Sequence, residues 1–332
     1  MKQKFNFVLM ILVTATLMVS CKKDRTVVYV NQNNGNNSKP IKSERLNTAS
    51  FFSDFAPKSQ KTTLDATKTM MITSNSGNQY VLPANCLLHQ NNTPVTGNVE
   101  FVLIEYRTKS DMLTSGVTTT SGKELLASGS MFYMTAYQNQ EELKIKDNTS
   151  IGLYLNPNSS DNSPMDYWVG SKNNNDSNNK IDWTMTSPIQ VRPRLDTVNM
   201  KRRYNFSLPE YKFGYSNLDC LHSNTTPRCK SWSFEPPKSC NDTNSVGMIV
   251  MNQYNACGYV YWVKQGDLMS TQYALPIGET FKLLLYRKTG TGEDDIEYVI
   301  LNEEVKENTV ISYNGVMTKI TKAGLKSIID GL

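Results

Sequence analysis

The stretch "GNVEFVLIEY", Gly97–Tyr106, decides the fold class. Successive side chains of a strand point to opposite faces. Val99, Phe101 and Leu103 therefore share one face, and Val102, Ile104 and Tyr106 share the other. A strand that is apolar on both faces belongs in the middle of a sheet covered on both sides. Upstream, "TMMITS" and "NQYVLP" flank Ser76-Gly77-Asn78, a turn signal. Downstream, "SMFYMTAYQ" and "TSIGLYL" repeat the strand pattern, and "KIDWTM" and "PIQVRP" close a first unit near Pro193. Asn158 to Asn179 reads as a polar loop with one aromatic island.

A second strand-rich unit begins near Lys201. It contains "YNFSL", "VGMIVMN", "GYVYWVK", "TFKLLLYR" and "IEYVILNEEV", the last two joined by "KTGTGEDD", a hairpin loop. Only the end reads as helix: Leu325, Ile328, Ile329 and Leu332 recur at i, i+3, i+4 and i+7. No internal repeat is seen. The expected fold is all-β, with two antiparallel β-sandwich domains in series, 69–195 and 196–332. A disordered tether over 21–68 precedes them and a short C-terminal helix follows. The tether is polar and Asn/Gly-rich, as in "VNQNNGNNSK", but carries Phe51, Phe52 and Phe55, which could dock onto the first domain.

At the N-terminus, Lys2 and Lys4 precede the apolar run Phe5–Val19, broken by Asn6, Thr14 and Thr16. That run is short of the about 20 residues that a membrane-spanning helix needs, and it has the plan of a secretory signal over residues 1–20. Leu17-Met18-Val19-Ser20-Cys21 resembles the lipobox of bacterial lipoproteins. The resemblance implies cleavage before Cys21, diacylglycerol on its sulfur and an acylated amine. No cofactor is expected beside this covalent lipid at Cys21. Two acyl chains hold a protein stably at a membrane, each buried methylene contributing roughly 0.8 kcal/mol. Lys22, where the enterobacterial sorting pattern would retain Asp-bearing proteins at the inner membrane, favours the outer membrane by the same resemblance. Lys22-Lys23-Asp24 partly resembles the charged signals that carry some Bacteroidetes lipoproteins to the cell surface.

Composition narrows the function. Hydrophobic residues make up 39% of the chain, and Asn, Ser and Thr fill the difference, as in a turn-rich body. There are 35 Lys plus Arg against 30 Asp plus Glu; without Lys2 and Lys4 the balance is 33 − 30 = +3. The densest basic group, Arg192, Arg194, Lys201, Arg202 and Arg203, reads as a solvated linker rather than a nucleic-acid face. Cys86, in "VLPANCLL", reads as a buried thiol. Cys220, Cys229, Cys240 and Cys257 are expected to form disulfides in an exported chain, with free thiols or a metal as alternatives. Their spacing lacks the paired knuckles of a structural zinc site.

Candidate chemistry is sparse. The two histidines are His89, placed at a strand end, and His222 in "LDCLHS". A Cys220/His222 nucleophile is conceivable, but no orienting third group is identifiable. "GTGEDD" lacks both the P-loop Lys-Ser/Thr and EF-hand spacing, so it reads as a solvated turn. Asp161, Asp166, Asp176 and Asp182 could gather calcium only loosely. Trp168 and Trp183 flank the Asn-rich region, and Tyr259, Tyr261 and Trp262 crowd one strand. Such rings either stack on sugars or pack in a core.

The segment "YVLPANCLLHQNNTPVTGNVEFVLIEYRTKSDMLTSGVTTTSGKELLASGSMFYMTA" resembles a pattern of Bacteroidetes outer-membrane lipoproteins. The matching positions include Leu82–Asn85, Pro94–Gly97, Asp111-Met112, Ser115-Gly116 and Ser128–Phe132. "GYSNLDCL", Gly214–Leu221, is similar to that family's second signature. The resemblance implies a β-rich lipoprotein with no catalytic residues to carry over, and a first domain loosely similar to ZU5 folds. Asp196-Thr197-Val198 resembles the sequon for O-glycosylation on Thr197 in exported Bacteroidetes proteins. The expected function is a non-catalytic interaction or structural module, lipid-anchored in the envelope, with an envelope protein as partner and no nucleic acid. The alternatives are a glycan binder using Trp168 and Trp183, and a hydrolase centred on His222.

Overall fold

The computed structural model describes residues 46–158, 163–172, 181–197, 200–221, 227–229, 232–264, 268–271, 274–307 and 309–332. Cys21, the signal segment and His222 lie outside the described residues, as do Asp161 and Asp176.

Asn98–Tyr106 is a strand, and its two faces feed two different cores, as its sequence predicts. Val99, Phe101 and Leu103 join one cluster, Tyr106 and Ile104 the other. It lies second in a long sheet whose order is Gln60–Asp65, Asn98–Tyr106, Glu124–Gln138, Gly214–Leu221, Met165–Lys172, Ile181–Val191. Neighbours along this order are antiparallel. The central strand Glu124–Gln138 does the same double duty: Phe132, Met134 and Ala136 enter the first core, Leu126 and Met131 the second.

A smaller antiparallel sheet covers the first face. Its order is Arg194–Asp196, Lys201–Leu208, Ile151–Leu155, Gln79–Leu82, Met70–Thr73. It contributes Tyr80, Leu82, Leu153 and Tyr204 to the first core. A third sheet, Ser245–Met251 and Thr280–Lys288 at its centre, covers the second face with Met248, Val250, Leu284 and Tyr286. The alternate residues Ile249, Met251, Phe281, Leu283 and Leu285 build a third core on its far side. That core is closed by the sheet itself. Trp232 and Phe281 sit on strands four positions apart in the sheet order, about 19 Å apart if the sheet were flat. Their ring centroids are 5.7 Å apart, so the sheet curls over. One strand pair in it, Trp232–Glu235 with Thr309–Ser312, is parallel.

Four expectations are corrected. The first unit does not end near residue 195: Lys201–Leu208 and Gly214–Leu221 are strands of the first two sheets. The bodies are therefore not two separate sandwiches in series but layers sharing the long middle sheet. Arg194–Asp196 and Lys201–Leu208 form an edge hairpin, not a linker. The tether does not reach residue 68, because Gln60–Asp65 is an edge strand and Thr48–Phe51 a helical turn. The aromatic island inside the supposed loop is the strand Met165–Lys172, where Gly170 allows close approach: a Cβ there would lie 2.8 Å from Cβ of Tyr215.

Phe51, Phe52 and Phe55 do dock, but onto the C-terminal layer. Phe51 stacks on Tyr286 at 5.8 Å, and the Nζ of Lys322 lies over the Phe51 and Phe55 rings. The same Nζ donates to Glu293 at 2.5 Å and Asp54 at 2.9 Å. The "GTGEDD" loop is thus a clamp rather than a bare turn, since Asp294 also accepts from the backbone N of Lys322. The expected helix is present, Lys322–Asp330, capped by Thr321, with Leu325 and Ile329 in the second core. A second helix, Lys109–Thr114, has a reciprocal capping box between Thr108 and Asp111. All described residues fall within one compact unit that contains the three cores.

Candidate functional site

The turn Ser74–Asn78 is made by Gly77 at φ +83° and closed by the backbone hydrogen bond from Gly77 N to Ser74 O. Beyond it, Ser76, Asn78 and Tyr80 alternate onto one side and meet Glu105 of the facing sheet. Glu105 accepts from Ser76 Oγ at 2.6 Å, Asn78 Nδ2 at 2.6 Å and Tyr80 Oη at 2.9 Å. Burial first, and the Glu105 charge second, push the Tyr80 phenol well above its ordinary value of 10.0, so it stays a donor. The network extends to Asn156, whose N donates to Asn78 Oδ1, and to Arg203, which donates to Asn156 Oδ1 and Gly77 O.

Beside Glu105 opens a cleft of about 250 Å³, with Lys58, Gln60, Ser74, Asn75 and Arg107 on its walls. Lys58 and Arg107 are exposed. Gln60 is committed to Thr73 O and Asn75 N. Asp111, also on the rim, is spent on the capping box. The cleft therefore offers two cations above a fixed polar floor, which suits a small anionic or carboxylate-bearing ligand. A larger cleft of about 430 Å³ lies along Leu88, Glu142, Lys144 and Lys212. His89 follows the strand Leu87–Leu88, at a strand end as expected, with Nδ1 2.8 Å from Glu141.

Trp168 and Trp183 are not available to a sugar. They are 5% and 2% exposed, and their indole N–H groups donate to Asp219 O and Thr118 O. Core packing also takes Tyr259, whose hydroxyl donates to Leu113 O. Among the described residues none of the expected disulfides forms: Cys220, Cys229, Cys240 and Cys257 are not bridged, and neither is Cys86. Their distribution sets Cys220 and Cys257 apart from the other two. Cys220 borders the first core, Cys257 lies in the second, and Cys229 and Cys240 lie in the third. Desolvation raises the Cys86 thiol to about 11 and the Cys257 thiol to about 12. Asp166 is paired with Gln190 rather than gathered with other carboxylates. Among the described residues no group of His, Cys, Asp and Glu could hold a metal ion.

Sequence reasoning missed a buried polar chain. Ser128 Oγ donates to Asn217 Oδ1 at 2.8 Å, and Asn217 Nδ2 donates to Asp219 Oδ2 at 2.6 Å. Burial raises the Asp219 carboxyl well above 3.8, and Oδ1 has no partner. The alternation Asn217, Asp219 along Gly214–Leu221 was the available signal, because both fall on one face of a central strand.

No family model matches the chain, no curated protein matches it, and no solved structure matches it.

Proposed function

We propose that this chain is an envelope lipoprotein, acylated at Cys21 and held at the outer membrane, whose β body is a non-catalytic interaction module. The observation that carries the reading is the register of Lys2 and Lys4, the apolar run Phe5–Val19, Ser20 and Cys21. The cleft at Glu105 adds a recognition surface, since its carboxylates are engaged in hydrogen bonds and its cations face solvent. Its partner is an envelope protein presenting an acidic or carboxylate group to Lys58 and Arg107. Thr197 is exposed beside the hairpin strand Arg194–Asp196, so it is accessible as an O-glycosylation acceptor.

Metabolic labelling with an alkyne fatty acid tests the anchor. The native chain should incorporate label and fractionate with outer membrane, and Cys21→Ser should do neither. Label persisting in Cys21→Ser removes the assignment. Co-purification from detergent, compared with a Lys58→Glu/Arg107→Glu variant, tests the module: a stoichiometric envelope partner should be lost with the charge reversal.

A further inference from the structure

We propose that Asn314 is a site of spontaneous covalent modification: its side chain closes onto the backbone nitrogen of Gly315 to a succinimide, which opens to isoaspartate and aspartate. Among the described residues Asn314-Gly315 is the only Asn-Gly pair. Every other described asparagine precedes a residue with a side chain, as in Asn85-Cys86, Asn92-Thr93 and Asn148-Thr149. A following glycine has no Cβ to hold its own backbone nitrogen away from the amide. The fold itself asks for glycine here. A Cβ on residue 315 would lie 2.6 Å from Cζ and Oη of Tyr313. The Tyr313 hydroxyl reaches over the loop and donates to Val316 O at 3.0 Å. Inside this clasp Asn314 and Gly315 are exposed, and Val316 is 92% exposed. Among the described residues no hydrogen bond holds the Asn314 amide or the Gly315 N–H. Asparagines of other turns are held: Asn91 Oδ1 accepts from Thr93 N and Oγ1, and Asn241 Oδ1 accepts from Thr243 and Asn244.

The chemistry needs only water. Gly315 N gives up its proton and attacks Cγ of Asn314. The N–Cγ bond forms, the Cγ–Nδ2 bond breaks, and the proton passes through water to the departing ammonia. Water then opens the ring. Cleavage of the N–Cγ bond gives aspartate. Cleavage between that N and the main-chain carbonyl carbon of residue 314 leaves the chain running through Cγ, as isoaspartate. Nothing is oxidised or reduced. The site bears on the third core. Met317, just downstream, is 6% exposed and sets its Sδ 3.7 Å from Sγ of Cys240, and both belong to that core. From Thr318 the chain is fixed again, paired with Tyr298. Isoaspartate lengthens the backbone by a methylene and adds a negative charge in the short span before Met317, so it loosens the cover over Cys240.

The test ages the folded protein at neutral and at mildly acidic pH, then maps its peptides by mass spectrometry and labels isoaspartate with an isoaspartyl methyltransferase. The peptide holding Asn314 should gain the mass of an amide-to-acid exchange and the methyl label, ahead of every other described asparagine. Conversion should be faster at neutral pH, because the attacking nitrogen must lose its proton. Asn34-Gly35, which lies outside the described residues, is followed in its own peptide. Asn314→Gln, with an unchanged melting temperature, should lose the signal, since glutamine must close a larger ring. Alkylation of Cys240 should quicken as isoaspartate accumulates in the wild type, and stay constant in aged Asn314→Gln. No conversion at Asn314 in the folded protein, conversion only after denaturation, or a rate no higher than at Asn91 and Asn241 overturns the proposal. Conversion with unchanged Cys240 alkylation overturns the link to the third core.

Discussion

Glu105 and Asp219 are both carboxyls drawn into the first layers of this protein, and they are treated in opposite ways. Glu105 receives three side-chain donors from a hairpin that reaches across from the facing sheet. Asp219 lies fully buried on the middle sheet with one side-chain donor, Asn217, and one oxygen without a partner. Burying a charge is costly unless donors replace its water. At Glu105 the donors are supplied and the carboxylate ties two sheets together. At Asp219 they are not, and the carboxyl is driven towards its neutral form. The difference teaches that depth and donor supply act together: half-buried Glu105 with three side-chain donors ties two sheets, while full burial outweighs the donors of Asp219.

The largest effect should come from breaking the first case. Glu105→Ala leaves Tyr80, Asn78 and Ser76 without their acceptor, and should lower the unfolding free energy by about 3 kcal/mol in urea. A loss below about 1 kcal/mol would mean that water replaces the carboxylate freely. The second case reverses sign. The folded Asp219 carboxyl titrates above its unfolded value of 3.8, so the native state binds the extra proton between the two. Wild-type stability should fall as pH rises through that window. Asp219→Asn should remove this slope, matching wild type below pH 3.8 and exceeding it increasingly towards neutrality. Parallel melting curves for the two proteins would refute the contrast. The smallest effect is in the thiols. Alkylation of the native protein should reach half-buried Cys220 before Cys86 and Cys257, whose thiolates are suppressed by burial. Denatured without reductant, all five should label; a shortfall in pairs would restore a disulfide.

How far the sequence could be read depended on the range of the interaction. Gly97–Tyr106 declared a two-sided strand because alternation is local, and the Leu325/Ile329 stripe declared its helix for the same reason. Thr108 and Asp111 held a capping signal for the helix Lys109–Thr114 that the strand pattern hid. The candidate site was half legible. Ser76-Gly77-Asn78 was visible as a turn, but Glu105 is 29 residues from Ser76, and nothing local joins them. Trp168 and Trp183 could stack on sugar or pack in a core on the same local pattern, and the covering C-terminal sheet decided for packing.

The sequence by itself determined a β-built body, its turns, its final helix and the lipobox-like segment at Cys21, because each is written in neighbours a few residues apart. Only the tertiary structure decided that Lys201–Leu221 returns to the first sheets and that the four late cysteines divide among three cores, Cys229 and Cys240 sharing the third. Those outcomes turn on which sheet face buries which side chain, and that burial is settled between segments far apart in the chain, as Leu113 and Tyr259 are at 146 residues.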